Sequence, residues 1–114
     1  MIYTESFEGI RLDIQTVYLE IGDEIKQQIR DLIMRLQRHI SEITWVDAYF
    51  KRESSQSTDK RTIGVRLGIP GNDAFATATG DQWKSLLKEV EGKLRRQLRK
   101  RKKENNNTGL LSFI

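Results

Sequence analysis

The apolar residues of this chain change their spacing near residue 23, and that change narrows what it can fold into. Ile10, Leu12 and Ile14 alternate with Arg11, Asp13 and Gln15, the period of a strand with one buried face. From Asp23 onward Ile25, Ile29, Leu32, Ile33, Leu36 and Ile40 recur at helical spacing. Residues 23–40 therefore read as an amphipathic helix, with Asp23 as N-cap and Arg38 and His39 in the last turn, where positive charge suits the macrodipole. Thr44 to Arg52 is rich in β-branched and aromatic residues and reads as a second strand. The polar stretch ESSQSTDK reads as a mobile loop. Ile63, Val65, Leu67 and Ile69 then alternate with Thr62, Gly64, Arg66 and Gly68 as a third strand. Pro70-Gly71 fits the centre of a type II turn, proline fixing φ and glycine accepting positive φ. Residues 74–79 pair back as a fourth strand, and Asp81 caps a final helix over about 82–103. Trp83, Leu86, Leu87, Val90, Leu94 and Leu98 form its apolar stripe.

A crossover containing a helix makes its two flanking strands parallel and right-handed, whereas hairpin-length loops make neighbours antiparallel. The expected fold is α+β: a two-layer βαβββα sandwich, a four-stranded mixed sheet with both helices on one face. The αβββα order that remains without the first strand is also that of the double-stranded-RNA-binding domain. Residues 1–9 are expected as an N-terminal extension, 10–103 as the domain and 104–114 as a flexible C-terminal tail. Strands of six to eight residues span about 20–27 Å. A 22-residue helix spans about 33 Å, so the end of the last helix should overhang the core.

That overhang is where the charge lies. From Lys93 to Lys103 the sequence is KLRRQLRKRKK, with eight Lys or Arg among eleven residues and no carboxylate, in a chain of net charge +4. The remainder is therefore net acidic. Solvated helical faces usually mix signs and gain i,i+4 pairs, whereas like charges this dense repel one another and call for an anionic partner. Rows of phosphates are the commonest such partner. At 100° per residue Lys93, Arg96, Lys100 and Lys103 make one ridge about 15 Å long. Arg95, Arg99 and Lys102 lie on the other side, and Lys26, Arg30, Arg35 and Arg66 are candidates to extend the field.

Other chemistries find little support. With no cysteine there are no disulfides, thiolate metal sites or cysteine nucleophiles, which fits a reducing cytoplasm. His39 is the sole histidine, Glu89 and Glu91 point to different sides of their helix, and no phosphate-binding glycine motif occurs. No catalytic residue, metal site or cofactor is expected. No apolar run approaches the roughly 20 residues that span a bilayer, and the N-terminus does not resemble a signal peptide. Trp45 and Tyr49 share one strand face, where open aromatics would offer a stacking platform for bases. A structural role, or an edge in a protein contact, is the expected reading for them.

The βαβββα order, with Lys93-Leu94, Arg96-Gln97-Leu98, Lys100 and Lys102 following Ala76-Thr77-Ala78, resembles the ribosome hibernation promoting factors. That family includes protein Y and proteins also called sigma-54 modulation proteins. Leu19-Glu20-Ile21 ahead of the first helix agrees as well, and the likeness covers about residues 10–103. The resemblance implies binding to the small ribosomal subunit and its ribosomal RNA, in the channel that messenger and transfer RNA would occupy. It implies inhibition of translation and preservation of idle ribosomes under starvation or in stationary phase. By position it assigns RNA contacts to Lys93, Arg96, Lys100 and Lys102, with Arg99 and Lys103 beside them and Lys26 and Arg35 on the first helix. Leu32 stands where some relatives carry lysine. The chain is too short for the second domain of the long-form relatives. A cytoplasmic protein, monomeric when free, with no membrane and no small-molecule substrate, is what the likeness implies. The alternatives are a protein-binding transcription regulator, as the sigma-54 name implies, and a general double-stranded RNA binder.

Overall fold

The computed structural model describes the backbone of residues 1–40 and 42–111, and the side chains of those through Arg101. Its elements are β1 (Ile2–Phe7), β2 (Ile10–Val17), α1 (Asp23–Leu36), β3 (Trp45–Ser54), β4 (Asp59–Gly68), β5 (Ala74–Gly80) and α2 (Trp83–Leu111). One mixed sheet holds the strands in the order β1-β2-β3-β4-β5. The β2–β3 pair is parallel, as a crossover through α1 demands, and the other pairs are antiparallel.

The sheet has five strands rather than four. Residues 1–9, expected as an extension, contain β1, which folds back on β2 with Phe7 opposite Ile10. Only Glu8 and Gly9 lie between them, at φ 52° and 76°. Positive φ at both central residues matches the twist of a two-residue hairpin. Half of the expected mobile loop is ladder, since Glu53 pairs with Lys60 and Ser54 with Asp59. Gly71, at φ 84°, takes the left-handed position assigned to it in the turn.

The helix ends also differ from the sequence reading. Gly22, not Asp23, is the N-cap of α1 and makes no side-chain cap bond; Asp23 falls in the first turn, where its charge still suits the dipole. The helix stops at Leu36 rather than residue 40. Arg38 and His39 instead donate their backbone N–H groups to Arg35 and Leu36 at 3.3 and 2.9 Å, a tightened final turn. In α2 the first helical residue is Trp83, and the Leu86 N–H reaches the Gln82 carbonyl, so Asp81 lies one residue too early to cap. The helix continues to Leu111, past residue 103 and into the stretch expected as a C-terminal tail. Residues 112–114 of that tail lie outside the described residues.

Both helices cover the same sheet face. Ile10, Leu12 and Ile14 of β2, Val46, Ala48 and Phe50 of β3, and Ile63, Val65 and Leu67 of β4 are buried beneath them. They meet Ile29, Leu32, Ile33 and Leu36 of α1 and Leu86, Leu87, Val90, Leu94 and Leu98 of α2. Burying each such side chain contributes roughly 1.5–3 kcal/mol. Ala74, Ala76 and Ala78 on β5 are also buried, and their small side chains let α2 lie close to the sheet edge. Trp83 fixes the start of α2, its ring edge-to-face with Phe50 at 5.2 Å between centroids. Both helices run from the end of the sheet where β2 finishes toward the end where β3 begins. They are therefore parallel, and α2 extends beyond the last residues of the stripe.

Candidate nucleic-acid interface

Three sides of α2 carry its polar residues, and each does something different. On the flank above the outer edge of β5 stand Lys93, Gln97 and Arg101, spaced four residues apart. The Lys93 ammonium donates to the Thr77 carbonyl at 2.7 Å and to Glu89 at 3.1 Å. Gln97 accepts from the Phe75 N–H at 3.1 Å and donates to the Phe75 carbonyl at 2.7 Å, as a neighbouring strand would. Arg101 donates to the Asp73 carbonyl at 2.9 Å. An edge strand otherwise offers unpaired backbone groups to any passing strand; here side chains from α2 occupy several of them.

The opposite flank faces α1. Glu91 is 6% exposed and sits between the helices. Arg35 grips it in two-pronged fashion, at 2.9 Å from Nε and 2.7 Å from Nη2, and Arg95 adds a third bond at 3.0 Å. The Arg35 hydrogen bonds hold the Glu91 carboxyl below its ordinary range against the opposing effect of burial, with the Arg95 bond adding to them. The same carboxylate raises the Arg35 guanidinium above its usual value. This arrangement ties α1 to α2 and explains a carboxylate placed just ahead of the basic run.

The outer side carries Arg96, Arg99 and Lys100, within about 100° of one another around the helix. All three are exposed. Among the described residues none of them makes an ion pair or a side-chain hydrogen bond. Exposed guanidinium and ammonium groups without an internal partner are free to donate to phosphate oxygens, arginine in a two-pronged fashion.

The structure therefore divides the ridge drawn from the sequence. Arg96, Arg99 and Lys100 form one outward group, whereas Lys93 is turned to the β5 edge. The side chains of Lys102 and Lys103 lie outside the described residues. On α1, Arg35 is engaged with Glu91, and Lys26 lies over the Tyr3 ring at 4.0 Å from its centroid. Arg30 binds Glu5 of β1 at 2.7 Å, and that bond lowers the Glu5 pKa. Arg66 does not extend the helical field at all. It projects from the other sheet face, 4.4 Å above the Phe75 ring.

Sequence reasoning missed Lys84 and Lys88, which are exposed on α2 and rim a shallow groove between the helices with Gln28, Asp31 and Arg35. They lie outside the dense basic run that drew attention to the helix end, though helical spacing from Arg95 places them on that flank. Gln97 also escaped notice, because its role depends on which backbone lies beside it. No cluster of three or more potential metal ligands occurs among the described residues. No helix among them is long and apolar enough to cross a membrane.

Solved structures share this fold. A ribosomal subunit interface protein from Coxiella burnetii superposes with a TM-score of 0.69 at 20% identity, covering 80% of this chain and 96% of its own. The N-terminal domain of Protein Y from Thermus thermophilus gives 0.61 at 16% identity, with 76% and 92% covered. Ribosome hibernation promoting factors are similar in sequence. That of Acinetobacter guillouiae is 24% identical over 100 residues, covering 82% of this chain and 88% of the relative. That of Pseudomonas putida is 24% identical over 95 residues, covering 83% and 89%. Residues 12–106 match the family model described as Sigma 54 modulation protein / S30EA ribosomal protein, and so the chain belongs to that family.

Proposed function

We propose that this protein is a cytoplasmic ribosome hibernation factor that binds ribosomal RNA of the small subunit through the outer side of α2. Arg96, Arg99 and Lys100 displace counterions from phosphates, and Lys84, Lys88 and the cations beyond Arg101 widen the contact. The folded body then fills the channel that messenger and initiator transfer RNA require. Inhibition is steric and involves no bond making, which agrees with the lack of a persuasive catalytic constellation in the sequence. Starvation or stationary phase is when such a plug preserves idle ribosomes.

The observation that carries this reading is the exposed outer triad of α2 beside flanking cations already engaged within the fold. The similarity to ribosome hibernation promoting factors supports the choice of ribosomal RNA over other polyanions. The test is cryo-electron microscopy of purified small subunits mixed with this chain. Density for the domain in the channel between head and body, with α2 against rRNA, is the expected result. An empty channel, or binding that survives nuclease digestion of the rRNA, would instead point to an acidic protein surface.

A further inference from the structure

Among the described residues nothing covers the sheet face turned away from the helices, and its residues form rows across the strands. One row runs Thr4, Asp13, Asp47, Arg66, Phe75 through successive register partners. The row on one side includes Gln15, Tyr49 and Gly64, and the row on the other Arg11, Trp45 and Gly68. A recess of about 290 Å³ opens here, lined chiefly by Ile2, Arg11, Asp13, Gln15, Asp47 and Tyr49. Beside it the Trp45 indole lies flat over Gly68. A Cβ on that glycine would come within 2.2 Å of the ring, so glycine is what allows the ring to lie there.

Two features distinguish this recess from an ordinary polar surface. Asp47 is exposed and has no hydrogen-bond or ion-pair partner among the described residues, although Asp13 is its register neighbour and Arg11 and Arg66 act on its charge. Asp13, by contrast, accepts from Thr4 at 2.7 Å and is paired with Arg11 at 3.3 Å. Partial burial first, and then the Asp13 charge, push the Asp47 carboxyl above its usual range, and a hydrogen-bond donor would stabilise its charged form against both effects. The second feature is the combination of half-buried aromatic rings and free acceptors with guanidinium donors close by.

We infer that this recess binds an unpaired guanine base, stacked against Tyr49 or Trp45, with its N1–H and N2–H donors on the Asp47 carboxylate. Guanine presents two adjacent donors on its pairing edge and the acceptors O6 and N7 beside them, which Arg11 or Arg66 would meet. Adenine and uracil place an acceptor where the second donor should be and would face carboxylate repulsion. Aromatic stacking supplies affinity without sequence choice, and the carboxylate supplies the choice. A base in a duplex has its pairing edge occupied, so the site reads single-stranded or flipped-out guanine. The same chemistry is offered by a free guanine nucleotide and by an unpaired guanosine in RNA.

The test is a proton–nitrogen NMR titration of the whole chain with GMP, AMP, and single-stranded RNA hexamers of uridine carrying one central G or A. Amide shifts at Asp13, Asp47 and Tyr49 are expected with the guanine ligands, and binding at least about fivefold weaker with adenine. Asp47→Asn should remove the preference, and Tyr49→Ala should weaken both bases; unchanged amide dispersion shows that each variant still folds. Binding of both GMP and the G hexamer supports the inference with either source, and binding of the hexamer alone supports it with RNA as the source. Equal shifts with G and A, or shifts confined to α2, overturn it. The Arg96→Glu/Lys100→Glu variant should retain guanine binding, so this result and failure of the α2–rRNA contact are read separately.

Discussion

Lys93 and Arg96 stand about one helical turn apart in the same basic run, yet one is engaged within the fold and the other faces outward. Lys93 directs its ammonium to the Thr77 carbonyl and Glu89, in file with Gln97 and Arg101 along the β5 edge. Arg96, with Arg99 and Lys100, points outward and has no partner among the described residues. The difference shows that a run of positive charge is not one surface. Its inner flank bonds to the sheet edge, and its outer side is the part that the proposed rRNA contact would use. With the apolar stripe of α2 in the core and the inner file on the β5 edge, the outer triad is left exposed as a group.

The largest expected effect comes from reversing the outer side. Arg96→Glu with Lys100→Glu should lower ribosome co-sedimentation by at least about a hundredfold, since two favourable phosphate contacts become repulsive. Its unfolding midpoint should correspond to a stability change within about 0.5 kcal/mol, as for other exposed substitutions. Loss of the fold together with binding would erase the contrast between the two files. Next comes the clamp between helices. Glu91→Gln replaces a carboxylate that receives three arginine hydrogen bonds and should cost about 2 kcal/mol in urea denaturation. An unchanged midpoint would mean that the clamp does not hold α1 to α2.

Smaller is the effect of the inner file. Gln97→Leu removes both bonds to Phe75 at a solvent-accessible edge, which should cost roughly 0.5–1.5 kcal/mol. Its sharper sign is faster hydrogen exchange at the Phe75 amide, with exchange at Leu12 and Val46 in the sheet centre following only the global change. Acid gives the subtlest signal. Glu91 and Glu5 ionise more readily in the fold than in the unfolded chain, because Arg35 and Arg30 hydrogen-bond to their carboxylates. Their stabilisation is therefore complete above the ordinary carboxyl value of 4.5 and disappears as pH falls through the lower folded values. The stability gap between wild type and Glu91→Gln should be widest near neutral pH and close in acid.

Most of the architecture was legible because its apolar periods are clean. The stripes of Ile29, Leu32, Ile33, Leu36 and of Leu87, Val90, Leu94, Leu98 are the helix faces that became core. The parallel β2–β3 pair follows from the helix between them. β1 escaped detection because its inward positions, Tyr3, Glu5 and Phe7, include a carboxylate where a strand pattern calls for an apolar residue. A distant arginine, Arg30 on α1, makes Glu5 acceptable there. Glu8-Gly9 is also a weaker turn signal than Asn-Gly or Asp-Gly. The basic run was legible as a charged region, but how its two flanks differ was not. Helical angles locate Lys93 and Arg96, but nothing in a one-dimensional pattern says that β5 offers carbonyls to one flank and a carboxylate waits at the other.

The most direct measurement is the salt dependence of binding to purified small subunits, for wild type and for single neutralised variants. Wild type should show a steep linear fall of log affinity with log salt. Arg96→Gln and Lys100→Gln should each reduce that slope by roughly 0.7–0.9, because one phosphate fewer is neutralised, whereas Gln97→Leu should leave it unchanged. Slopes that stay at the wild-type value in Arg96→Gln and Lys100→Gln would contradict the claim that the outer side of α2 meets ribosomal phosphates.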